Sequence, residues 1–395
     1  MFSIGIGQRI SQSMIMLLIP LWVIHVHGSS FALGFDVAAV SVAPMFFAIP
    51  IGAAADRLGS RNIVLIGAVS AAAATMLSIS FSNVWIFGFW QMIAGLGRSA
   101  TWIGAQTSVT REHEEGTRRA HRIGWLSLSA QIGNFGGPFL AGLLITRANI
   151  TAAFIVAAAA IAAVMLSITV KDVPTASTAQ PESPAQQEPS VVESRNFVRA
   201  FRLLGLPSFR LIIVGSVIRL GLIAIRNSFY VVYLHHAGWS PLEIGTVLSL
   251  GSVASAGAAA LTGLLHRRFD AQRLLYASLF GMALAFSVVP LSSSVLIQVV
   301  CMVVFGIGNG LSQTAIISLL AKAAPAQDQG LAVGLRTSMN RAVQVSAPLL
   351  IGTLVSFVAL PTLLLALGVG SLASLFGAAW FLRGGQSKGI SGMRS

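Results

Sequence analysis

Long apolar runs, each closed by a glycine, a proline or a cluster of charges, follow one another along almost the whole of this chain. A helix that crosses the hydrocarbon core of a bilayer needs about 20 such residues at ~1.5 Å rise per residue. Of the 395 residues 55% are hydrophobic and only 9% charged, where a soluble domain carries roughly a quarter charged residues. The solvent around most of this chain is therefore lipid. Breaking it at turn-formers and charges gives segments near 3–26, 31–54, 63–81, 84–108, 122–146, 150–170, 211–236, 242–265, 273–291, 295–321, 331–357 and 361–381. These are twelve expected spans, and their lengths suit tilted helices; strands would need alternating segments of about ten residues. The first segment runs past Leu21 without a small-residue cleavage site and reads as the first span. The single cysteine, Cys301, offers neither a disulfide framework nor a thiolate metal site.

Charge fixes the expected orientation. The connections after spans 2, 4, 6, 8 and 10 and the C-terminal tail hold most of the 25 Lys and Arg, whereas the other connections hold only Arg147. The positive-inside rule then puts both termini in the cytoplasm of a cell bounded by this inner membrane. It also accounts for the net charge of +13 through topology and anionic lipid, with no nucleic-acid partner required. The stretch from Asp172 to about Ser194, rich in Pro, Ser, Gln and Glu, cannot bury a core and reads as a linker. The run Arg195 to Arg202 after it has the pattern of a short amphipathic helix. The expected organisation is a six-helix bundle over 1–170, a cytoplasmic linker over 171–208 and a second six-helix bundle over 209–395, acting as a monomer.

Sliding the second half onto the first by about 210 residues superposes Arg9 on Arg219, His25 on His235, Gly28 on Gly238, Gly95 and Gly97 on Gly306 and Gly308, and Pro138 and Gly142 on Pro348 and Gly352. Two parallel six-helix repeats are a transporter architecture. Between spans 2 and 3 stands Gly52-Ala-Ala-Ala-Asp56-Arg57-Leu-Gly59-Ser60-Arg61, which resembles the loop signature of the major facilitator superfamily. Its physical sense is a tight glycine turn with an acid and bases that pair in one transport state and release in another, Asp56 taking the gate role. The match departs at Ser60, where the family usually has a second base, and the second-half equivalent, Gly263 to Asp270, is degraded. Span 5 carries Gly133-Asn134-Phe135-Gly136-Gly137-Pro138-Phe139-Leu140-Ala141-Gly142, which resembles the fifth-helix signature of the superfamily's antiporters, drug exporters included; ordinary small-residue packing is the bland alternative. Gly133, Gly137 and Pro138 are then expected to serve the conformational change. In span 4 Gln91 stands where the family usually has an arginine linked to proton coupling. The resemblance covers the whole chain and implies an all-α membrane protein of twelve helices in two pseudo-symmetric bundles, moving a small solute by alternating access from a site between the halves.

Six arginines fall within spans: Arg9, Arg98, Arg219, Arg226, Arg336 and Arg341. A charge at mid-membrane costs at least ~2.5 kcal/mol and needs water, a partner or a snorkelling route. Arg9, Arg219 and Arg336 lie toward the cytoplasmic side, where snorkelling or inner-gate packing suffices. Arg98, Arg226 and Arg341 sit ~17–21 Å from their helix ends, on helices 4, 7 and 11, and the resemblance implies that these face the cavity. Guanidinium grips an anionic solute bidentately. The competing reading has these arginines bonded to carbonyls or amides and shaping a cavity for something else. Tyr230, Asn309, Gln313 and Asn340 are the polar residues expected beside them, with Gln91 on the face of Arg98 and Trp102 as an aromatic wall or a lipid contact. No acid is expected deep in a span: Asp36 and Glu243 sit at span ends, which are usually solvated, and Asp36 joins His25 and His235 as a candidate proton site at the outer mouth.

No Gly-rich phosphate loop, HExxH or nucleophile elbow is present, so neither enzyme chemistry nor a cofactor is expected. The run Arg111 to Arg122 reads as a charged solvated loop in preference to a metal site. The expected function is transport of a small organic solute, outward, with an organic anion favoured; a proton-coupled exporter of amphipathic drug-like compounds is the alternative, and a transporter-like receptor or sensor is the alternative outside transport.

Overall fold

The computed structural model describes residues 2–111, 116–169, 207–323 and 329–391. The expected linker, its amphipathic helix, part of the 111–122 run and the Asp56 side chain lie outside the described residues. The helices are α1 Phe2–His25, α2 Ser30–Leu58, α3 Ser60–Ile79, α4 Val84–Arg111, α5 Gly116–Arg147, α6 Ile150–Thr169, α7 Pro207–Asn227, α8 Phe229–His236, α9 Pro241–Leu265, α10 Ala271–Val288, α11 Val295–Ala323, α12 Gln329–Leu354 and α13 Leu360–Ser391. With α7 and α8 counted as one span these make twelve. Among the described residues seven are long and apolar enough to cross a membrane on length and composition alone. Their outward side chains are apolar too: Leu296 is 72% exposed, Phe46 67% and Phe376 64%, an exposure that lipid stabilises and water would penalise.

Local chemistry sets the ends. Ser29 caps α2 by accepting from the Ala32 N–H at 3.2 Å, and Asn149 caps α6 by accepting from the Ala152 N–H at 2.7 Å. Ser240 and Glu243 form a reciprocal capping box on α9, Ser240 N–H donating to Glu243 Oε2 at 2.8 Å and Glu243 N–H to Ser240 Oγ at 3.3 Å. Gly59, between α2 and α3, has φ 85°, the left-handed turn that the loop motif demands of glycine.

One element departs from the sequence expectation. Span 7 is not one continuous helix: it breaks at Ser228, with φ −121° and ψ −82°, and the Ser228 hydroxyl donates to the Ala224 carbonyl at 2.8 Å. Neither proline nor glycine marks the place, so composition carried no sign of it.

The chain divides into two compact units. Unit 1 comprises Met1–Gln180, Ala224–Val253 and Gln344–Leu360; unit 2 comprises Pro181–Ile223, Ala254–Val343 and Pro361–Ser395. Unit 1 thus joins α1–α6 to α8, the first half of α9 and the end of α12. Its helices meet at small residues. A Cβ on Gly97 of α4 would lie 2.6 Å from the Gly67 carbonyl oxygen of α3, and Trp22, Phe87 and Phe154 stack through α1, α4 and α6, Trp22 and Phe87 with centroids 3.8 Å apart. Unit 2 repeats the first of these crossings by itself: a Cβ on Gly308 of α11 would lie 2.5 Å from the Ser278 carbonyl oxygen of α10. Gly67 and Gly97 in one unit correspond to Ser278 and Gly308 in the other at the repeat offset, so the duplication read in the sequence is present in the packing.

Candidate functional site

Arg98 turns into unit 1. Its side chain is 1% exposed; one guanidinium nitrogen donates to Thr75 Oγ1 of α3 at 3.3 Å and the other to Gln91 Oε1 at 3.2 Å. Gln91, also fully buried, passes its own N–H to Ser78 at 3.1 Å. Thr75 and the chain Gln91–Ser78 give the buried guanidinium two acceptors, while its Nε has none among the described residues. The i−7 spacing announced Gln91; Thr75 and Ser78 come from another helix and had no signal in the sequence. Trp102 has a neighbour that the sequence did not name. It lies under Arg9, whose guanidinium carbon stands 3.9 Å from the ring centroid.

Arg226 is the penultimate residue of α7, beside the break, and donates to the Leu248 carbonyl of α9 at 2.7 Å. A cation there also meets the open carbonyls of a helix C-terminus. Tyr230 and Tyr233 follow on α8 and are buried at 0% and 8% exposure. In unit 2, Asn309 donates to Ser255 at 3.0 Å while its own Oδ1 has no partner, and Gln313 Oε1 accepts from Arg219 at 2.9 Å. Asn340 Oδ1 is buried without a hydrogen bond, and Arg341 is half-buried. The expected binding residues thus divide: Arg98, Arg226 and Tyr230 in unit 1, Asn309, Gln313, Asn340 and Arg341 in unit 2. Arg219, for which snorkelling or inner-gate packing was expected, bonds Gln313 of a neighbouring helix.

Asp36 corrects the expectation of a solvated span end. It is 0% exposed, and neither carboxylate oxygen has a hydrogen-bond partner among the described residues. Gly88 of α4 leaves the room: a Cβ there would collide with Asp36 Oδ1 and with the Phe35 ring. Phe35, whose ring lies beside Asp36 at Gly88, packs edge-on against Trp85, centroids 5.2 Å apart. Glu243 is exposed as a span-end acid was expected to be. His25 is exposed; His235 is partly buried beside His236, ring centroids 6.4 Å apart.

The residues of the two glycine motifs separate into a turn and two crossings. Gly52 is unobstructed, with nothing within 4 Å of an added Cβ; Arg57 closes α2, and Arg61 opens α3 after Gly59. Gly133 and Gly137 let α5 approach α1 so closely that an added Cβ on Gly133 would lie 2.9 Å from the Ile10 nitrogen, and the Ser13 hydroxyl donates to the Gly133 carbonyl at 2.8 Å. Pro138 and Gly142 face the other way, toward α9: a Cβ on Gly245 would press on the Pro138 carbonyl and lie 3.4 Å from the Gly142 Cα. The repeat supplies a second such crossing within unit 1. A Cβ on Gly34 of α2 would press on the Pro348 carbonyl of α12 and lie 3.3 Å from the Gly352 Cα. Gly34 and Gly245 were missed in the sequence although they stand at the repeat offset.

Comparison with known proteins follows the same lines. The family model described as Major Facilitator Superfamily matches residues 1–348 and 215–389. The tetracycline resistance protein, class D, of Salmonella ordonez is 23% identical over 321 residues, covering 80% of this chain and 78% of that one. The MFS-type transporter ppzB of Metarhizium rileyi is 27% identical over 112 residues, 28% of this chain, and the match spans 23% of that relative's length. Among solved structures, the nucleoside transporter NupG superposes with a TM-score of 0.78 at 13% identity, covering 96% of this chain and 97% of that one. A POT family transporter in complex with 5-aminolevulinic acid superposes with a TM-score of 0.76 at 15% identity, covering 96% and 94%. At these identities the structural likeness speaks for fold.

Proposed function

The chain belongs to the major facilitator superfamily of membrane transporters, and from that premise we propose that it carries a small organic anion out of the cell by alternating access. The observation that carries this reading is compositional and positional at once. Helices α7, α11 and α12 hold Arg219, Arg226, Arg336 and Arg341 together with Asn309, Gln313 and Asn340, and not one carboxylate. Guanidinium groups in an apolar setting are held there by carbonyls, amides or anions, and a solute can supply the anion. Arg226 and Tyr230 within unit 1, and Asn309, Gln313, Asn340 and Arg341 within unit 2, are the proposed solute-contacting residues; Arg98 is held within unit 1 by Gln91 and Thr75. The positive-inside pattern supports an inner-membrane protein with a six-helix bundle over 1–170, a cytoplasmic linker and a second bundle over 209–395, both termini inside. In that orientation the Gly34 and Gly245 crossings lie toward the outer ends of their helices, and we read them as an outer gate in its closed form. Outward direction is supported by the antiporter-like fifth-helix motif and by the relative named for tetracycline resistance.

The test is a thermal-shift screen of the purified protein against small organic anions and lipophilic cations. Stabilisation by anions, lost in a folded Arg226→Ala variant, is the expected result; stabilisation by cations alone would reverse the substrate class. One observation favours a second reading, a proton-coupled exporter of amphipathic drug-like compounds. Asp36 is a buried carboxylate without a hydrogen-bond donor among the described residues, and such a group suits a proton carrier. On that reading His25 and His235 accompany it, and Asp36→Asn abolishes proton-driven transport in proteoliposomes while facilitated exchange persists.

A further inference from the structure

The first turns of α2 are held on two opposite sides, and every group involved belongs to unit 1. Toward α12 the contact is backbone on backbone: a Cβ on Gly34 would press on the Pro348 carbonyl, and one on Gly352 would lie 2.7 Å from the Ser30 carbonyl oxygen. Toward α4, about 200° around the helix from Gly34, the contact is a carboxyl group. Asp36 enters the gap that Gly88 leaves, where a Cβ would also lie 2.6 Å from Phe35 Cε1. Leu33 and Val40, one turn to either side on the same face of α2, are buried with it. Neither Asp36 oxygen has a donor among the described residues. The charged side chains on the helices packed against α2 are engaged or placed elsewhere. On α1, Arg9 lies over Trp102 and His25 is exposed; on α3, Arg61 stands at the far end of the helix; on α4, Arg98 is turned to Thr75 and Gln91; and α12 carries no charged residue from Gln344 to Leu354. An ionised carboxylate cannot be held among apolar groups without donors, so a seated Asp36 is the neutral acid.

We propose that Asp36 is a protonation latch for the outer gate: the neutral acid seats α2 on α4 at Gly88 and so keeps Gly34 against α12, and loss of its proton to water unseats both contacts. The inference rests on the gate reading of the Gly34 crossing above and gives that gate a control. It holds for an anionic or a cationic solute, and for transport that is driven by protons or is not. The joined form binds the proton; the parted form, in which water reaches the carboxylate, releases it. Acid therefore favours joined helices, and between the proton affinities of the two forms each unit of rising pH shifts the balance toward parted ones by up to about tenfold.

The test uses the full-length chain in lipid nanodiscs with Cys301→Ala and Ser41→Cys. Ser41, whose hydroxyl donates to Gln344 Oε1 of α12 at 3.4 Å, reports on the parting of α2 from α12. Maleimide labelling is followed from about pH 5 to about pH 8, each rate divided by that of an Asn149→Cys protein at the same pH to remove the titration of the thiol itself. The normalised rate is expected to climb with pH by up to about tenfold per unit. In Asp36→Asn, which cannot ionise, it is expected to stay low and flat; in Gly88→Ala, whose methyl takes the place of the carboxyl, it is expected to be high at every pH. A climb that persists in Asp36→Asn overturns the latch, as does a Gly88→Ala protein that labels like its parent. A flat parent beside a raised Gly34→Ala protein overturns the latch and leaves the gate reading standing. Labelling of Gly34→Ala equal to that of the parent overturns the gate reading and the latch with it.

Discussion

At the scale of single residues, the membrane-buried charges of this protein differ in how they are satisfied. Arg98 is buried completely and spends its donors on Thr75 and Gln91. Removing it leaves those oxygens without donors around a cavity, so Arg98→Ala is expected to cost about 3–5 kcal/mol and to show as a lowered melting temperature; a variant that melts with the wild type would mean the network carries no load. Asp36 is the opposite case, a buried carboxylate whose oxygens have no donor. Its isostere costs nothing to bury by comparison, so Asp36→Asn is expected to melt at the wild-type temperature or above it; a fall of several degrees would reveal a partner for the carboxylate. The sequence named both residues: for Arg98 its alternative of an amide partner is what Gln91 supplies, while for Asp36 it expected solvent where the side chain is buried. It counts residues from a turn, but cannot see Gly88 of α4 leaving room for the Asp36 carboxylate, nor Thr75 arriving from α3.

At the scale of elements, the helices were legible because lipid leaves each apolar run one backbone solution, and the caps at Ser29 and Ser240 follow rules local to the chain. The break at Ser228 was not legible. It arises where Ser228 turns its hydroxyl back on Ala224 and where Arg226 reaches Leu248 on another helix, contacts that no window of sequence contains. The crossings were half legible: the repeat offset paired Pro138 with Pro348 and Gly142 with Gly352, while their partners Gly34 and Gly245 stayed unrecognised among so many glycines. Backbone carbonyls are what an added methyl would strike at both, and backbone does not yield as a flexible side chain does. Gly34→Ala and Gly245→Ala are therefore each expected to loosen these helix pairs, measured as increased labelling of a cysteine placed at Ser41 in a Cys301→Ala background. Labelling equal to that of the parent would show that the crossings do not hold this end shut.

At the scale of the whole molecule, two arguments converge on the family: charge asymmetry of the connections and a repeat that reappears as matched packing, Gly97 on Gly67 and Gly308 on Ser278. Topology is open to direct measurement. A cysteine replacing Asn149, again with Cys301 removed, is expected to react with a membrane-impermeant maleimide added outside intact cells, and one replacing Arg268 only after the membrane is opened; the reverse pattern would invert the protein. The glycine crossings also have a thermodynamic consequence. Contacts made of glycine and carbonyl hold almost no apolar side-chain area, so drawing α2 from α12, or α5 from α9, wets little hydrocarbon. The equilibrium between joined and parted helices then carries a small heat-capacity change, and its van't Hoff plot runs nearly straight across the temperatures at which the cell lives.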